Sequence, residues 1–294
     1  MNALALRAFY LVKPLIPRRA QVAARRVRAR RLWRELQANP LPPDGAELDG
    51  YAWPDGVRSC ALVTHDVELA GGQARIGTLT AIEERMGIRS CWNFPVCRYP
   101  VDERLIGELR DGGHEVGVHG TYHDGREFAS EAVFRERLKL VEDAAARWGA
   151  VGFRAPSLLY DRALLATLPF EWDSSMPAWD PFQPKPGDCR RYFPFDLSER
   201  CLELPVTLWQ DFTLLDELGM RDIDVWRRQA DAIHARGGLI TVIVHPDYID
   251  DRGRVALYTQ LLEHLRSLEG TWIATPSEVV AWARRGERPA DLSR

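Results

Sequence analysis

The stretch that decides the fold is CALVTHDVE, at residues 60–68. Its four leading apolar residues are typical of a strand buried on both faces, and the polar residues after them place Asp66 and Glu68 at the strand's carboxyl end. In α/β folds with a parallel sheet, reactive groups lie at these ends, in the loops that lead to the helices. The two carboxylates are therefore candidates for a metal ligand and a general base, or alternatively for a helix cap and an ion-pair partner.

Apolar runs alternate with helix-like stretches along the rest of the chain. The predicted strands span residues 59–64, 90–96, 115–118, 151–153, 202–206, 239–244 and 271–274, and the predicted helices span 74–86, 102–110, 130–148, 223–235, 254–268 and 276–285. Glycines follow several of these helices, as C-cap positions favour. Such alternation over about 240 residues predicts an α/β fold with a mainly parallel sheet, and its length suits a (β/α) barrel.

The composition is that of a globular chain in which charge is unevenly distributed. Of the 294 residues, 46% are hydrophobic and 28% are charged, which excludes intrinsic disorder and a fibrous rod. Residues 1–34 hold ten Lys or Arg and no acid, so the remainder carries a net charge of −13 although the whole chain carries only −3. A body this acidic repels phosphate backbones, and we expect no nucleic-acid partner.

The domain prediction separates a basic N-terminal segment and linker at residues 1–50 from a barrel domain at residues 51–294. Pro14 and Pro17 divide the basic segment, and the part after Pro17 can form a helix. A basic helix with apolar residues upstream favours peripheral contact between residues 1–37 and an anionic membrane. The alternative is a solvated helix that packs on the domain or on another subunit.

Cysteine usage and hydropathy indicate the compartment. Five cysteines are an odd number without CxxC spacing, which favours free thiols in a reducing environment. No apolar run approaches the roughly 20 residues that cross a bilayer, and the N-terminus lacks a signal-peptide pattern. The prediction is a cytoplasmic protein, with the inner membrane face as a peripheral location.

Two further strand ends carry side chains suited to metal binding or proton transfer. His119 and His123 follow the third predicted strand, and their spacing would bring both imidazoles to one face of a helical turn. Two His and one carboxylate form an open metal site that leaves positions for water and substrate. His245 closes the strand at 239–244 and precedes Pro246, which suits a general acid. Taken singly, each histidine also fits a structural role.

Five motifs in order resemble the polysaccharide deacetylase family with NodB homology, over residues 58–283. They are THDVE at 64–68, HGTYH at 119–123, RAP at 154–156, WD at 172–173 and VH at 244–245. The first, second and third are usually TFDDG, H-S/T-x-x-H and R-x-P-Y in that family. The resemblance implies a distorted (β/α) barrel and a metal-dependent hydrolase, usually using zinc, that removes acetyl groups from N- or O-acetylated sugars.

The resemblance also implies a ligand set with one departure. His119 and His123 become metal ligands, with Zn²⁺ the metal that the family usually uses. The family's third ligand is an Asp directly after the base, where this chain has Val67, which cannot bind metal. Glu68 is next along the chain and is the candidate third ligand.

Four catalytic roles follow from the same resemblance. Asp66 becomes the general base that deprotonates the attacking water, and His245 becomes the acid that protonates the leaving amine or alkoxide. Arg154 orients Asp66. Asp173, in the fourth motif, tunes His245 through a hydrogen bond of the kind that sets imidazole basicity.

Substrate contacts are assigned to the loops around these residues. Tyr122 and Pro156 are candidate substrate contacts, and a backbone N–H near Tyr122 or in the loop of the third motif is the candidate oxyanion donor. Trp209 and Tyr248 are candidates for the cleft wall, with core packing as the alternative for each. The expected substrate is an acetylated sugar or glycan precursor. An amidase of small cyclic C–N compounds and a non-catalytic carbohydrate-binding relative remain alternatives.

Overall fold

A computed structural model describes residues 18–36, 38–43, 45–46, 51–183 and 188–285, in which nine strands form one sheet flanked by helices. The strands are β1 (Ser59–Asp66), β2 (Cys91–Phe94), β3 (Glu115–Val118), β4 (Gly152–Phe153), β5 (Trp172–Asp173), β6 (Phe195–Asp196), β7 (Leu202–Glu203), β8 (Leu239–Val244) and β9 (Thr271–Ala274). The helices are α1 (Arg18–Glu35), α2 (Ala70–Gln73), α3 (Ile76–Arg85), α4 (Glu103–Asp111), α5 (Glu131–Trp148), α6 (Arg162–Leu165), α7 (Asp224–Ala235), α8 (Arg252–Ser267) and α9 (Pro276–Arg284), with a 3₁₀ turn at Pro156–Leu158 and a π-helix at Phe212–Leu218.

The sheet has the order β6-β7-β5-β4-β3-β2-β1-β8, and β9 pairs with the first half of β1. The neighbouring strands are parallel except β6 and β7. Beyond β7, the backbone N–H of Leu208 donates to the carbonyl of Thr241 at 3.2 Å, which links the sheet's far side to β8. This is the predicted distorted (β/α) barrel, so the fold expectation is confirmed.

Strand register determines which groups meet at the carboxyl edge of the sheet. β1 pairs with β8 from Cys60↔Leu239 to His65↔Val244, so both strands end at the same level. β2 and β3 continue this edge on the other side of β1. The loops after β1, β3 and β8 therefore converge, although they are far apart in the chain.

Successive side chains of β1 point to opposite faces of the sheet, so the two faces of this strand have different surroundings. Leu62 belongs to a buried apolar cluster with Trp172 and Leu202. His65 lies on the outer face, where the first motif usually has Phe. Its ring stacks on Trp92 with 3.9 Å between centroids, and its Nε2 lies 2.8 Å from Glu83 Oε1. A fully partnered histidine thus replaces an apolar side chain under the helices.

Helix α1 packs on the barrel, as one of the two sequence-based alternatives predicted. Ala29 is buried in the main core, and Trp33 packs edge-on against Trp209 with 5.8 Å between ring centroids. Arg28 donates to the carbonyls of Phe182 and Gln183 at 2.7 and 3.1 Å. The domain boundary at residue 50 stays a prediction, and residues 1–17 lie outside the described part of the chain. None of the helices in the described residues is long and apolar enough to cross a bilayer.

Several local predictions are corrected by the structure. The helix expected over 74–86 is present as α3, but helix α2 before it, the two-residue strands β5 and β6, helix α6 and the π-helix were not predicted. Elements this short lack a periodic pattern that a sequence could show. All five cysteines are free, but Cys97 is exposed whereas Cys60, Cys91 and Cys201 are buried.

The packing of α1 predicts how its residues affect stability. Trp33→Ala is expected to lower the free energy of unfolding by about 2 kcal/mol, because it removes a half-buried indole from the core. Val27 on the same helix is 70% exposed, so Val27→Ala should change stability by less than about 0.5 kcal/mol. Denaturant unfolding followed by circular dichroism measures both, and equal midpoints would show that α1 is not docked in solution.

Candidate active site

The end of β1 carries the two acids on one side of the strand. Asp66 and Glu68 are separated by one residue, so both face the barrel mouth, while Val67 between them is fully buried in the outer core. Asp66 Oδ1 accepts from Arg154 Nη1 at 3.1 Å and from Asn93 Nδ2 at 3.0 Å. The contact expected between Arg154 and Asp66 is therefore present.

Charge around Asp66 keeps its carboxylate ionised. Burial alone would raise the pKa of Asp66, but the nearby His119, Arg154 and His245 and the hydrogen bond from Asn93 outweigh it and lower the pKa to about 2. Oδ2 is the oxygen that faces the histidines, 3.9 Å from His119 Nε2 and 4.0 Å from His245 Nε2. This oxygen is placed to accept a proton from a group held between the imidazoles.

The second motif forms an irregular loop after β3, which corrects the expected helical turn. Gly120 and His123 both have positive φ, 60° and 53°, and this brings the rings of His119 and His123 to 5.2 Å between centroids. A Cβ at Gly120 would lie 2.6 Å from Pro156 Cγ. The glycine that departs from the usual Ser or Thr of this motif is thus required by the loop's contact with Pro156.

Glu68, His119 and His123 form a group that fits a metal ion. One ligand atom from each residue lies within 4.8 Å of the other two. His119 Nδ1 lies 3.1 Å from the carbonyl of Arg154 and donates to it, which leaves the Nε2 lone pair of His119 available. Both Nε2 atoms are buried without a directed hydrogen bond to any described residue, although His123 Nε2 lies 2.8 Å from Glu68 Oε1.

The unpartnered Nε2 of His119 is the observation that tests the fit, because buried polar atoms normally have a partner. The protonation states agree with it. Burial lowers the pKa of His119 to about 4, so this imidazole is neutral, and the contact with His123 holds the pKa of Glu68 well below its usual range despite burial. A neutral imidazole and an ionised carboxylate are the forms in which these groups bind a divalent cation.

His245 is held by Asp211, a residue that the sequence analysis did not identify. His245 Nδ1 lies 2.6 Å from Asp211 Oδ1, and the His245 backbone N–H donates to Asp211 Oδ2 at 2.7 Å. Burial alone would lower the pKa of His245, but the carboxylates of Asp211, Glu68 and Asp66 outweigh it and raise the pKa to about 10. His245 is therefore protonated, with Nε2 facing Asp66 and Glu68.

The predicted hydrogen bond from Asp173 to His245 is wrong. Trp172 and Ser174 face into the barrel, where the Ser174 hydroxyl accepts a hydrogen bond from Arg154. Because side chains alternate along a strand, Asp173 between them faces outward. Its carboxylate instead accepts from the backbone N–H and the hydroxyl of Ser175, at 3.0 and 2.8 Å. The Asp of this Trp-Asp pair thus lies on the wrong face of the sheet for the predicted contact, while the Trp faces into the barrel.

The predicted substrate contacts separate into two groups. Tyr122 is 45% exposed at the mouth of the site, and the Tyr248 hydroxyl donates to Glu68 Oε2 at 3.3 Å. Pro156 is buried against Gly120, and Trp209 is fully buried, with its indole N–H donating to the carbonyl of Trp179. Trp209 is a core residue, so its assignment to the cleft wall is corrected.

Asn93 and Asp211 contact the predicted site residues directly, and the sequence analysis missed both of them. Asn93 is a lone amide inside the buried strand β2, and a polar residue there is itself a signal. Asp211 follows an apolar run and lies two residues beyond Trp209, so it also stands where reactive groups are expected. Each forms a hydrogen bond with a residue more than 25 positions away in the chain.

No protein-family model and no curated protein matches this sequence. Solved structures do match its fold. A protein from Mycobacterium smegmatis assigned as a polysaccharide deacetylase has a TM-score of 0.63 at 20% identity, over 84% of this chain and 98% of its own. A Pseudomonas aeruginosa PAO1 protein with the same assignment and the allantoinase PuuE each have a TM-score of 0.62 at 16% identity, over 81% of this chain and 94% of theirs. The chain thus has the fold of the polysaccharide deacetylases that its five motifs predicted.

Proposed function

We propose that this protein is a metal-dependent hydrolase that removes acetyl groups from an N- or O-acetylated sugar or glycan precursor. The observation that carries the proposal is the placement of Asp66 between two imidazoles, beside the Glu68–His119–His123 group. The resemblance of the motifs and the fold of the solved deacetylases support the same choice. The barrel mouth thus combines three residues that fit a metal ion, an ionised carboxylate and a protonated imidazole.

Each protein group has a defined task in this reaction. A divalent cation held by Glu68, His119 and His123, with zinc the metal best suited to such ligands, would polarise the acetyl carbonyl and acidify the attacking water. Asp66 Oδ2 takes the proton of that water. His245 Nε2 delivers a proton to the departing amine or alkoxide.

Hydrolysis of an amide in a small cyclic compound is the second candidate. The observation that favours it is the allantoinase, whose TM-score of 0.62 equals that of one of the deacetylases. Release of acetate from acetylated sugar oligomers, compared with ring opening of small cyclic amides by the same preparation, distinguishes the two. Binding of glycans without turnover, insensitive to a chelator, would support the non-catalytic alternative instead.

The ligand group predicts the metal content of the purified protein. We expect about one equivalent of zinc by elemental analysis, lost together with hydrolysis in Glu68→Ala and His119→Ala, because two ligands do not hold a divalent ion tightly. Dialysis against a chelator should abolish activity and added zinc should restore it.

His264→Ala provides the control for this experiment. His264 pairs with Asp231 between two helices, at 2.8 Å, and lies outside the barrel mouth. Its substitution should leave the zinc content at the wild-type level. Wild-type protein that holds no zinc after incubation with the metal would refute the hydrolytic function as proposed.

The Asp211 contact predicts which carboxylate supports the acid. Asp211→Asn is expected to lower kcat by about 10²-fold or more, since an amide no longer holds His245 Nδ1–H and the imidazolium. Asp173→Asn should retain most of kcat, because Asp173 faces the opposite side of the sheet. Steady-state rates with one acetylated substrate measure both variants, and the reverse ranking would restore the original assignment to Asp173.

We further propose that α1 contacts anionic lipid through its outer face. The exposed side chains on this face include Val27, Arg30, Arg31 and Arg34, while Ala29 and Trp33 face the barrel. A cytoplasmic protein acting on a membrane-borne glycan precursor would gain from such a surface. Because Trp33 belongs to the core packing, deletion of residues 1–37 is not a clean test, and charge reversal on the exposed face is better.

The double variant Arg30→Glu/Arg34→Glu tests this surface. Its binding to vesicles with 30% anionic lipid should be weaker than wild type by about tenfold or more, as expected for basic groups near a charged leaflet. Arg104→Glu/Arg135→Glu, which reverses two exposed charges on α4 and α5, is the matched control and should bind better than the α1 variant. Equal binding of the two double variants in a sedimentation assay would exclude α1 as the contact.

A further inference from the structure

The backbone after Glu68 is held by a carboxylate from a distant part of the chain. Helix α2 starts directly after Leu69, whose apolar side chain provides no cap hydrogen bond. The backbone N–H groups of Glu68 and Leu69 donate instead to Asp247 Oδ2 at 2.8 and 3.3 Å, and that of Gly72 donates to Asp247 Oδ1 at 3.0 Å. One half-buried carboxylate thus accepts three hydrogen bonds from the turn that follows the candidate ligand.

Gly72 shows that this contact is built into the sequence. A Cβ at Gly72 would lie 2.4 Å from Asp247 Oδ2 and 2.6 Å from its Cγ, so any larger residue would displace the carboxylate. Neighbouring Gly71 is different, because its Cβ would meet only Arg75 Nη1, at 3.6 Å. Close approach, and not backbone conformation, therefore requires glycine at position 72.

The side chain of Glu68 is oriented from the same direction. Tyr248, next to Asp247, donates its hydroxyl to Glu68 Oε2 at 3.3 Å, which leaves Oε1 facing His123 at 2.8 Å. The Tyr99 hydroxyl donates to the carbonyl of Val67 at 2.8 Å and fixes the preceding peptide. Hydrogen bonds thus hold both the main chain and the side chain of Glu68. Most of them come from the segment after β8.

We propose that Asp247 is a positioning residue that places Glu68 as the third ligand beside His119 and His123. The inference rests on the proposed metal-dependent function and deepens it. The backbone N–H of Val67 still donates to the carbonyl of Asn93 on β2, at 3.0 Å. The backbone N–H of Glu68 donates to Asp247 instead, so charge-assisted hydrogen bonds continue where the strand ladder stops. Because Asp247 is two residues from His245, the loop that carries the acid also sets the ligand's position.

Paired glycine variants test the proposal without changing any charge. Gly72→Ala should weaken zinc binding by about 10–100-fold, the range found when a group that orients a ligand is lost. Gly71→Ala adds the same methyl group one residue earlier in the same helix and should bind zinc as wild type does. Calorimetric titration of each apo protein with zinc alone measures the affinities, and circular dichroism verifies the fold.

A second pair tests the carboxylate directly. Asp247→Asn sets amide hydrogens against the N–H groups of the turn and should weaken zinc binding to a similar extent. Asp251→Asn removes another capping carboxylate from the same loop, one that accepts from the backbone N–H of Arg254 at 2.9 Å and does not touch Glu68. Asp251→Asn should retain wild-type zinc affinity. If zinc affinity fell equally in Asp247→Asn and Asp251→Asn, the cause would be the lost negative charge of the loop and not the contact with Glu68.

The outcomes separate the inference from the proposed function. Wild-type affinity in Asp247→Asn and Gly72→Ala would overturn the positioning role and leave the metal-dependent function in place. Equal weakening in all four variants would also overturn it. Failure of the wild-type protein to bind zinc would overturn the proposed function and the inference together. If Gly72→Ala does not fold, the comparison of Asp247→Asn with Asp251→Asn decides.

Discussion

The arrangement of the barrel mouth depends on the buried guanidinium of Arg154. Its side chain is completely buried, and it donates to Thr64 Oγ1 at 2.7 Å, Asp66 Oδ1 at 3.1 Å, and the carbonyl and hydroxyl of Ser174 at 2.8 and 2.7 Å. Its own carbonyl accepts from His119. A buried charge is stable only when its donors are satisfied, so β1, β4 and the segment after β5 are held in one geometry. The ion pair thus contributes orientation more than net stability.

A strand's two-residue period explains how the first motif tolerates its departure. In the usual pattern the third ligand directly follows the base, but here that position is Val67, which packs in the outer core. Moving the acid one residue further returns it to the face that carries Asp66. The longer Glu side chain then reaches His123 from beyond the strand end. The carboxylate of Glu68 can therefore take the place of the usual third ligand, provided that hydrogen bonds from outside the strand fix the backbone of Glu68.

The sequence predicted long elements and strand-end residues well, for identifiable physical reasons. Because β1 and β8 are buried on both faces, they are continuous apolar runs in the sequence. Reactive residues of a parallel sheet come directly after such runs, so Asp66, His119 and His245 could be predicted. Asp211 was missed because its partner lies 34 residues away and only the sheet order brings them together. Asp173 was assigned through the family resemblance, and a two-residue strand gives no pattern that reveals which side chain faces inward.

The opposed environments of Asp66 and His245 determine the direction of proton movement. Histidines and a guanidinium lower the pKa of one group to about 2, while carboxylates raise that of the other to about 10, so both are charged at neutral pH. Groups whose pKa values are pushed apart in this way take distinct acid and base roles. Their facing atoms are 4.0 Å apart, too far for a direct hydrogen bond. A proton can therefore pass between them only through a molecule placed at the barrel mouth, which couples transfer to the presence of water and substrate.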